Sequence, residues 1–222
     1  MTNGRKRPQA VAELEWYNRL VLLQFEDIIS AGVCYDRCSF LVRCVLRGLI
    51  PPSSACIEIG VERGNFSNAI LEIFEPKKLF LVDPWDFGDD KNSTDIDGAK
   101  EVRPHFPDCH ADFRHVAERF SEEIQCHRIE QIREYSYDAV DLFDDNFFDF
   151  IYIDATHTYG SVKADLHDWW PKLKPSGLMA GHDYGGSHLG LIAAVDEFIK
   201  EYDLHMNITA HSAATDWGIF KK

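Results

Sequence analysis

Two pairs of ionisable residues have the types and spacing of a catalytic site. Asp154 and His157 are three residues apart, and His182 and Asp183 are adjacent. Each pair follows a short apolar run with the character of a β-strand; the runs are residues 148–153 and 178–180. If these strands are neighbours in a parallel sheet, they lie about 4.8 Å apart. Their carboxyl ends then meet at the edge where open α/β folds bind ligands.

Asp154 and Asp183 would repel each other at that edge unless a cation neutralised them. Two carboxylates with water molecules suit Mg²⁺ or Mn²⁺. An imidazole from His182 would favour a softer ion such as Mn, Fe or Zn. Alternatively, Asp183 caps a turn and His182 is a structural histidine. We predict a metal site formed by Asp154, His182 and Asp183.

His157 is the natural proton acceptor of this group, because its ordinary pKa is about 6.5. A helix is predicted to begin near Tyr159, so His157 lies just before a helix N-terminus. That position lowers the pKa of a histidine and keeps it neutral. We therefore predict that His157 is a neutral general base and that Asp154 is the second catalytic residue.

A glycine-containing loop joins the first predicted strand to the first helix. We predict a nucleoside site there, formed by Glu58, Gly60, Val61, Gly64 and Asp83. Asp83 lies 23 residues after Gly60, where α/β folds place a carboxylate on the ribose hydroxyls. The spacing G-x-x-x-G is not the dinucleotide fingerprint G-x-G-x-x-G. Alternatively, the glycines serve an ordinary turn and Asp83 a turn before a proline.

The elements that must position these side chains alternate along the chain. Apolar runs typical of strands cover 55–59, 79–82, 124–129, 148–153 and 178–180. Helices are predicted over 65–74, 108–120, 159–170 and 189–202. This alternation is typical of a parallel sheet with helices on both faces. The last two runs, 205–210 and 217–220, have no room for a helix between them and predict an antiparallel hairpin.

Three segments make up the predicted organisation: a disordered tail over 1–9, an N-terminal helical cap over 10–52 and an α/β domain over 53–222. The polar stretch 86–107 is long for a connection in a compact domain. Such a stretch is a lid, a binding loop or a disordered insert.

The formal net charge of −14 disfavours nucleic acid and anionic membrane as partners. The six cysteines are Cys34, Cys38, Cys44, Cys56, Cys109 and Cys126. None has C-x-x-C spacing, and several lie in apolar runs, which indicates free thiols in a reducing compartment. No segment resembles a signal peptide or a membrane span. We expect a cytoplasmic protein whose partner is a small molecule; whether it forms a homo-oligomer stays open.

Together these motifs resemble a known family. The run FDFIYIDATHTY, from Phe148 to Tyr159, is similar to the fourth-strand motif of class I methyltransferases related to the macrolide sugar O-methyltransferases. Residues 165–177 resemble the helix and glycine turn that follow in that family, and Gly181 to Tyr184 continue the similarity. The loop from Glu58 to Gly64 and the sequence from Asp83 to Trp85 fit as well.

The resemblance implies an α/β Rossmann-like sheet of seven strands in the order 3-2-1-4-5-7-6, mostly parallel, with the last strand antiparallel. It implies S-adenosylmethionine as cofactor. Gly60 and Gly64 would approach its methionine part, Asp83 would hold the ribose, and Tyr135 and Ser136 would contact the adenine. Asp154 is also predicted to contact the cofactor.

In metal-dependent members, Asp154 and the pair at 182 and 183 would bind Mg²⁺ beside the cofactor, and His157 would be the general base. This sequence departs from them at one position, because His182 stands where an acidic residue is usual. Ser176 also replaces the second glycine of the usual turn.

We expect methylation of a hydroxyl on a sugar, polyol or phenol, assisted by a divalent metal. Three alternatives stay open: a non-catalytic protein that binds S-adenosylmethionine, a nicotinamide-dependent oxidoreductase on a similar fold, and a relative with a hydroxylase role.

Overall fold

The computed structural model describes residues 50, 54–86, 91–92, 94, 109–185, 187–209 and 216–222. The predicted tail over 1–9 and, except for Ile50, the predicted cap over 10–52 lie outside the described residues, as does most of the stretch 86–107.

Seven strands and six α-helices are formed by the described residues. The strands are β1 Ala55–Ile59, β2 Lys78–Val82, β3 Ile129–Ile132, β4 Phe148–Ile153, β5 Leu173–Gly181, β6 Met206–Thr209 and β7 Asp216–Phe220. The helices are α1 Asn65–Phe74, α2 Cys109–Arg119, α3 Ser121–Gln125, α4 Ser136–Ala139, α5 Tyr159–Trp169 and α6 Leu189–Glu201. A 3-10 turn over Val140–Leu142 follows α4.

The strands form one sheet in the order β3-β2-β1-β4-β5-β7-β6. Strands β1 to β5 are parallel to one another. Strand β7 is antiparallel to β5, and β6 is antiparallel to β7. The predicted α/β class with a mostly parallel sheet is confirmed, and the strand order is the one that the resemblance implies.

One predicted strand was wrong. The apolar run over 124–129 was predicted to be the third strand, but the structure places α3 at Ser121–Gln125 and β3 at Ile129–Ile132. Glu122 and Glu123 lie in the first turn of α3, where negative charge stabilises the helix dipole. Ile124 packs against the core from this helix, so its apolar character says nothing about strand structure.

Alternate residues of each strand face opposite sides of the sheet, as the pleat requires. Cys56, Leu79 and Tyr152 pack in one cluster with residues of α1 and α2. Ile57 and Ile151 pack in a second cluster with residues of α5 and α6. The predicted helices on both faces are therefore present, and the carboxyl ends of β1, β2, β4 and β5 share one edge of the sheet.

Within the described part of the chain, no helix combines the length and the apolar character needed to cross a membrane.

Candidate active site

The two ionisable pairs come together at the carboxyl ends of β4 and β5. Ile153 and Gly181 are register partners, so Asp154 and His182 begin adjacent loops. His157 Nε2 lies 3.5 Å from Asp154 Oδ1 and 3.2 Å from Asp183 Oδ2. His182 Nδ1 lies 3.1 Å from Asp183 Oδ1. The four side chains, called the Asp–His cluster below, occupy one site as their positions in the sequence suggest.

Backbone geometry fixes this cluster on both sides. Asp183 has a φ of 61°, in the left-handed region that non-glycine residues seldom adopt. On the other side, Thr158 is the N-cap of α5 and its Oγ1 accepts a hydrogen bond from the Ser161 N–H at 3.4 Å. His157 is therefore anchored between the end of β4 and a capped helix.

The electrostatics of His157 differ from the prediction. Burial lowers its pKa, but its contacts with the carboxylates of Asp154 and Asp183 outweigh burial and raise the pKa to about 9. For Asp183, burial opposes ionisation, but contacts with His157 and His182 hold its pKa well below the usual range. His157 is thus an imidazolium at neutral pH here. The prediction that the helix N-terminus keeps it neutral was wrong, because the two nearby carboxylates outweigh that effect.

Three members of the Asp–His cluster fit a cation. Ligand atoms of Asp154, His182 and Asp183 all lie within 4.8 Å of one another. Donors bonded to one ion at about 2.0–2.2 Å are separated by at most about 4.4 Å. Small side-chain movements would therefore let these two oxygens and one nitrogen share an ion.

The glycine loop packs against the backbone of Asp154, whose side chain belongs to this cluster. Gly60 has a φ of 90°, and a Cβ there would lie 2.2 Å from the carbonyl oxygen of Asp154. Gly64 has a φ of 71°, and a Cβ there would lie 2.7 Å from the ring of Phe120. Both glycines therefore have a packing role in the protein. Their contact with a cofactor stays a prediction.

Glu58 and Asp83 organise the same region. Glu58 is buried and accepts a hydrogen bond from the Ser67 hydroxyl. Asp83 Oδ2 accepts hydrogen bonds from the N–H groups of Val61 and Glu62 at 2.9 and 3.0 Å. Asp83 Oδ1 accepts from the Trp85 N–H at 2.7 Å.

The bonds from Val61 and Glu62 tie the loop after β1 to the loop after β2, and the bond from Trp85 lies within the loop after β2. A carboxylate has about four acceptor positions, so about one of them is left on Asp83 for a ribose hydroxyl. The sequence gives no sign that Asp83 joins the two loops, because its partners are backbone N–H groups, which are not specific to any residue type.

The predicted adenine contacts, Tyr135 and Ser136, lie where β3 leads into α4. The rings of Tyr135 and Tyr137 stack with centroids 5.2 Å apart. The Ser136 hydroxyl donates to Asp165 on α5. Lys91, from the stretch 86–107, lies with its Nζ 3.5 Å from the Tyr137 ring centroid. The aromatic rings of Tyr135 and Tyr137 therefore lie after β3, where the adenine contact is predicted.

His188 is a neighbour of the site that the sequence analysis did not single out. It directly precedes α6, and its ring centroid lies 4.8 Å from that of His157. No spacing signal in the sequence points to it.

Solved structures with a similar fold include several methyltransferases. A proposed caffeoyl-CoA O-methyltransferase from Staphylococcus aureus has a TM-score of 0.63 and 13% identity, covering 93% of this chain and 99% of that one. A SAM-dependent O-methyltransferase from Thermotoga maritima has a TM-score of 0.56 and 12% identity, covering 85% of this chain and 66% of that one. A proposed methyltransferase from Streptococcus mutans, in complex with SAH, has a TM-score of 0.55 and 13% identity, covering 83% and 95%. At these identities the similarity establishes the fold.

Among curated proteins, the uncharacterized protein y4gI of Sinorhizobium fredii is 39% identical over 46 residues. That match covers 21% of this chain and only 5% of the length of the relative.

The sequence pattern of the family described as "Methyltransferase domain" matches residues 57–184. The match runs from β1 through the Asp–His cluster and includes the glycine loop and Asp83. It covers more than half of the chain, which therefore belongs to this methyltransferase family.

Proposed function

We propose that the protein transfers a methyl group from S-adenosylmethionine to a hydroxyl oxygen of a small molecule, assisted by a divalent cation. The observation that carries this proposal is the position of the Asp–His cluster against the glycine loop, where the Gly60 backbone packs on the Asp154 carbonyl. A hydroxyl must lose a proton to accept a methyl group. An imidazole and two carboxylates beside the cofactor loop suit that requirement.

Binding and orientation of the cofactor are assigned to the loops that Asp83 ties together. Glu58, Gly60, Val61 and Gly64 would contact its methionine part, and Asp83 the ribose. Tyr135 and Ser136 would border the adenine. The cofactor, when bound, supplies a methyl group already activated on a sulfonium, so the protein contributes positioning and deprotonation.

Proton removal is assigned to Nε2 of His157. Asp154, His182 and Asp183 would hold the cation, which supplies a Lewis acid that lowers the pKa of the acceptor hydroxyl. While Asp154 and Asp183 face His157, they stabilise its protonated form. With those carboxylates engaged by a cation, the pKa of His157 would lie nearer its ordinary value of about 6.5, and its Nε2 would be able to accept the proton.

The acceptor we propose is a sugar, polyol or phenol, as in the macrolide sugar group that the motifs resemble, with the protein acting in the cytoplasm. The net charge of −14 supports a small molecule over a nucleic acid acceptor.

Calorimetric titration with S-adenosylmethionine, with and without Mg²⁺ or Mn²⁺, tests the cofactor. Transfer of labelled methyl to sugar, polyol and phenol acceptors, with and without EDTA, tests the chemistry. We expect heat on cofactor addition and turnover that EDTA abolishes. No heat in any condition would overturn the methyltransferase proposal, and full turnover in EDTA would overturn the metal part alone.

A second candidate is a protein that binds S-adenosylmethionine without turnover. It is favoured by the contact of His157 with both carboxylates, because a protonated His157 offsets part of their negative charge without a ligand. Cofactor heat with no transfer to any acceptor class would support it. A nicotinamide-dependent oxidoreductase is disfavoured by the absence of G-x-G-x-x-G, and titration with NAD tests it.

A further inference from the structure

We infer that the Asp–His cluster selects a first-row transition ion over Mg²⁺, because His182 supplies a nitrogen ligand where an oxygen ligand would favour Mg²⁺. The inference rests on the proposed metal-assisted function and specifies the ion that the site takes.

The position of His182 supports a ligand role. His182 is only 5% exposed, so the imidazole stays beside the sheet edge. It follows Gly181, the register partner of Ile153, which places it next to Asp154. Its ring is held by the contact between Nδ1 and Asp183 Oδ1 at 3.1 Å. The nitrogen and the two carboxylates form the compact donor set described above.

The chemistry of that donor set argues against Mg²⁺. Mg²⁺ prefers oxygen ligands in near-ideal octahedral geometry and keeps several waters. Imidazole suits Zn, Cu, Fe and Ni, whereas carboxylate and water suit Mg²⁺ and Mn²⁺. One nitrogen among three protein donors shifts the preference toward transition ions.

A different role for His182 would leave the site oxygen-rich. His182 could orient Asp183 from outside the ion's ligand set, as histidines and carboxylates near metal sites often do. The site would then hold only Asp154 and Asp183 as protein ligands and would keep an ordinary affinity for Mg²⁺. The two roles predict different spectra and different ion preferences.

The first experiment detects the nitrogen directly. The full chain is loaded with Mn²⁺ and examined by electron spin echo spectroscopy for coupling to a coordinated ¹⁴N. We expect coupling in the wild type and its loss in His182→Asn, whose amide oxygen replaces the nitrogen. His167→Asn is the matched control, because His167 is half-buried beside Glu201 near the C-terminal end of α5, the opposite end from His157. Coupling that is absent in the wild type, or that survives in His182→Asn, would overturn the inference.

The second experiment compares ion affinities by calorimetric titration of the full chain with Mn²⁺, Co²⁺ and Mg²⁺. Most mixed-donor sites bind Co²⁺ more tightly than Mn²⁺, so the informative quantity is the change on mutation. We expect the Co²⁺ to Mg²⁺ affinity ratio to fall by about tenfold or more in His182→Asp, and to stay unchanged in His167→Asp. His182→Asn serves if the buried aspartate prevents folding.

The outcomes separate this inference from the proposed function. An unchanged Co²⁺ to Mg²⁺ affinity ratio in His182→Asp, with normal S-adenosylmethionine binding, would overturn the inferred ion selectivity but not the proposed methyl transfer. Selective transition-ion binding without any cofactor heat would sink methyl transfer and leave the metal site. Failure to bind any of the three ions would overturn the inference.

Discussion

At the scale of single residues, His157 has two competing roles. In the arrangement seen here it is the counterion of Asp154 and Asp183, and in the proposed reaction it is the proton acceptor. Both roles depend on Nε2, which lies 3.2 Å from Asp183 Oδ2. A substitution at His157 should therefore affect catalysis and, separately, the electrostatics of the metal-free protein.

His157→Ala should lower the rate of methyl transfer by about 100-fold or more, because it removes the general base. S-adenosylmethionine affinity should change less than the rate, since His157 is not itself a predicted cofactor contact. Initial rates at saturating cofactor and calorimetric titration measure the two quantities. His167→Ala is the control and should retain full rate. A His157→Ala enzyme with near-normal rate would assign the base to another group.

The metal-free protein should lose stability in alkaline solution because of the same residue. The folded-state pKa of His157, about 9, lies above its unfolded value of about 6.5. The contribution of protonated His157 to the free energy of unfolding is therefore complete below about pH 6.5 and is lost as the pH rises through about 9.

Urea unfolding of wild type and His157→Gln at pH 6.5 and pH 9.5, in chelator, measures this contribution. Between these two pH values, the free energy of unfolding of the wild type should fall by roughly 1–3 kcal/mol more than that of the variant. Equal losses in the two proteins would show that the carboxylates do not hold an imidazolium.

At the scale of elements, the loop after β1 must fit closely against the end of β4. At Gly60 an added Cβ would strike backbone, the Asp154 carbonyl, at 2.2 Å. At Gly64 it would meet the outer atoms of the Phe120 ring at 2.7 Å, and a side chain can shift. The two glycines lie in the same loop and both have positive φ, but they have different neighbours, so their substitutions can be compared directly.

Gly60→Ala should be less stable than Gly64→Ala by about 2 kcal/mol or more. Both substitutions put a non-glycine residue at positive φ, which costs about 1–2 kcal/mol, and only Gly60→Ala also displaces backbone. Urea unfolding of the two variants measures the difference. If Gly64→Ala is equally or more destabilised, the close approach of the loop to β4 is not what requires glycine at position 60.

The strands differ in how well the sequence predicts their positions. Strands β1 and β4 lie where their apolar runs predict, because each run is short and bounded by turn residues or a helix. Strand β3 was misplaced because Ile124 and Ile129 belong to different elements and a short apolar run does not distinguish helix from strand. Asp154, His157, His182 and Asp183 were predicted to converge because parallel strands share a carboxyl edge. The raised pKa of His157 was not predicted, since it depends on distances that only the fold supplies.

At the scale of the whole molecule, the parallel half of the sheet is joined to the antiparallel hairpin by a buried polar contact. Tyr152 on β4 donates from its hydroxyl to Asp216 Oδ1 at the start of β7, at 2.7 Å. Both residues are fully buried. Between them lies β5, where Ala180 is the register partner of both Tyr152 and Gly218. These small residues leave room for the tyrosine to reach across a strand.

Tyr152→Phe should therefore loosen the docking of β7 without changing the ion preference of the Asp–His cluster. Loss of the hydroxyl removes a buried hydrogen bond to a carboxylate, which costs about 1–3 kcal/mol. Tyr202→Phe is the control, because Tyr202 is 41% exposed and its hydroxyl lies 3.4 Å from His167 Nδ1. That change should cost at most about 0.5 kcal/mol. Urea unfolding gives both values, and hydrogen exchange at Trp217 and Ile219 reports β7 directly. Equal stabilities for the two variants would mean that strand pairing alone holds the hairpin. A larger loss in Tyr152→Phe, with faster exchange confined to β7, would show that a side chain two residues before Asp154, a proposed catalytic residue, also holds the antiparallel hairpin to the parallel strands.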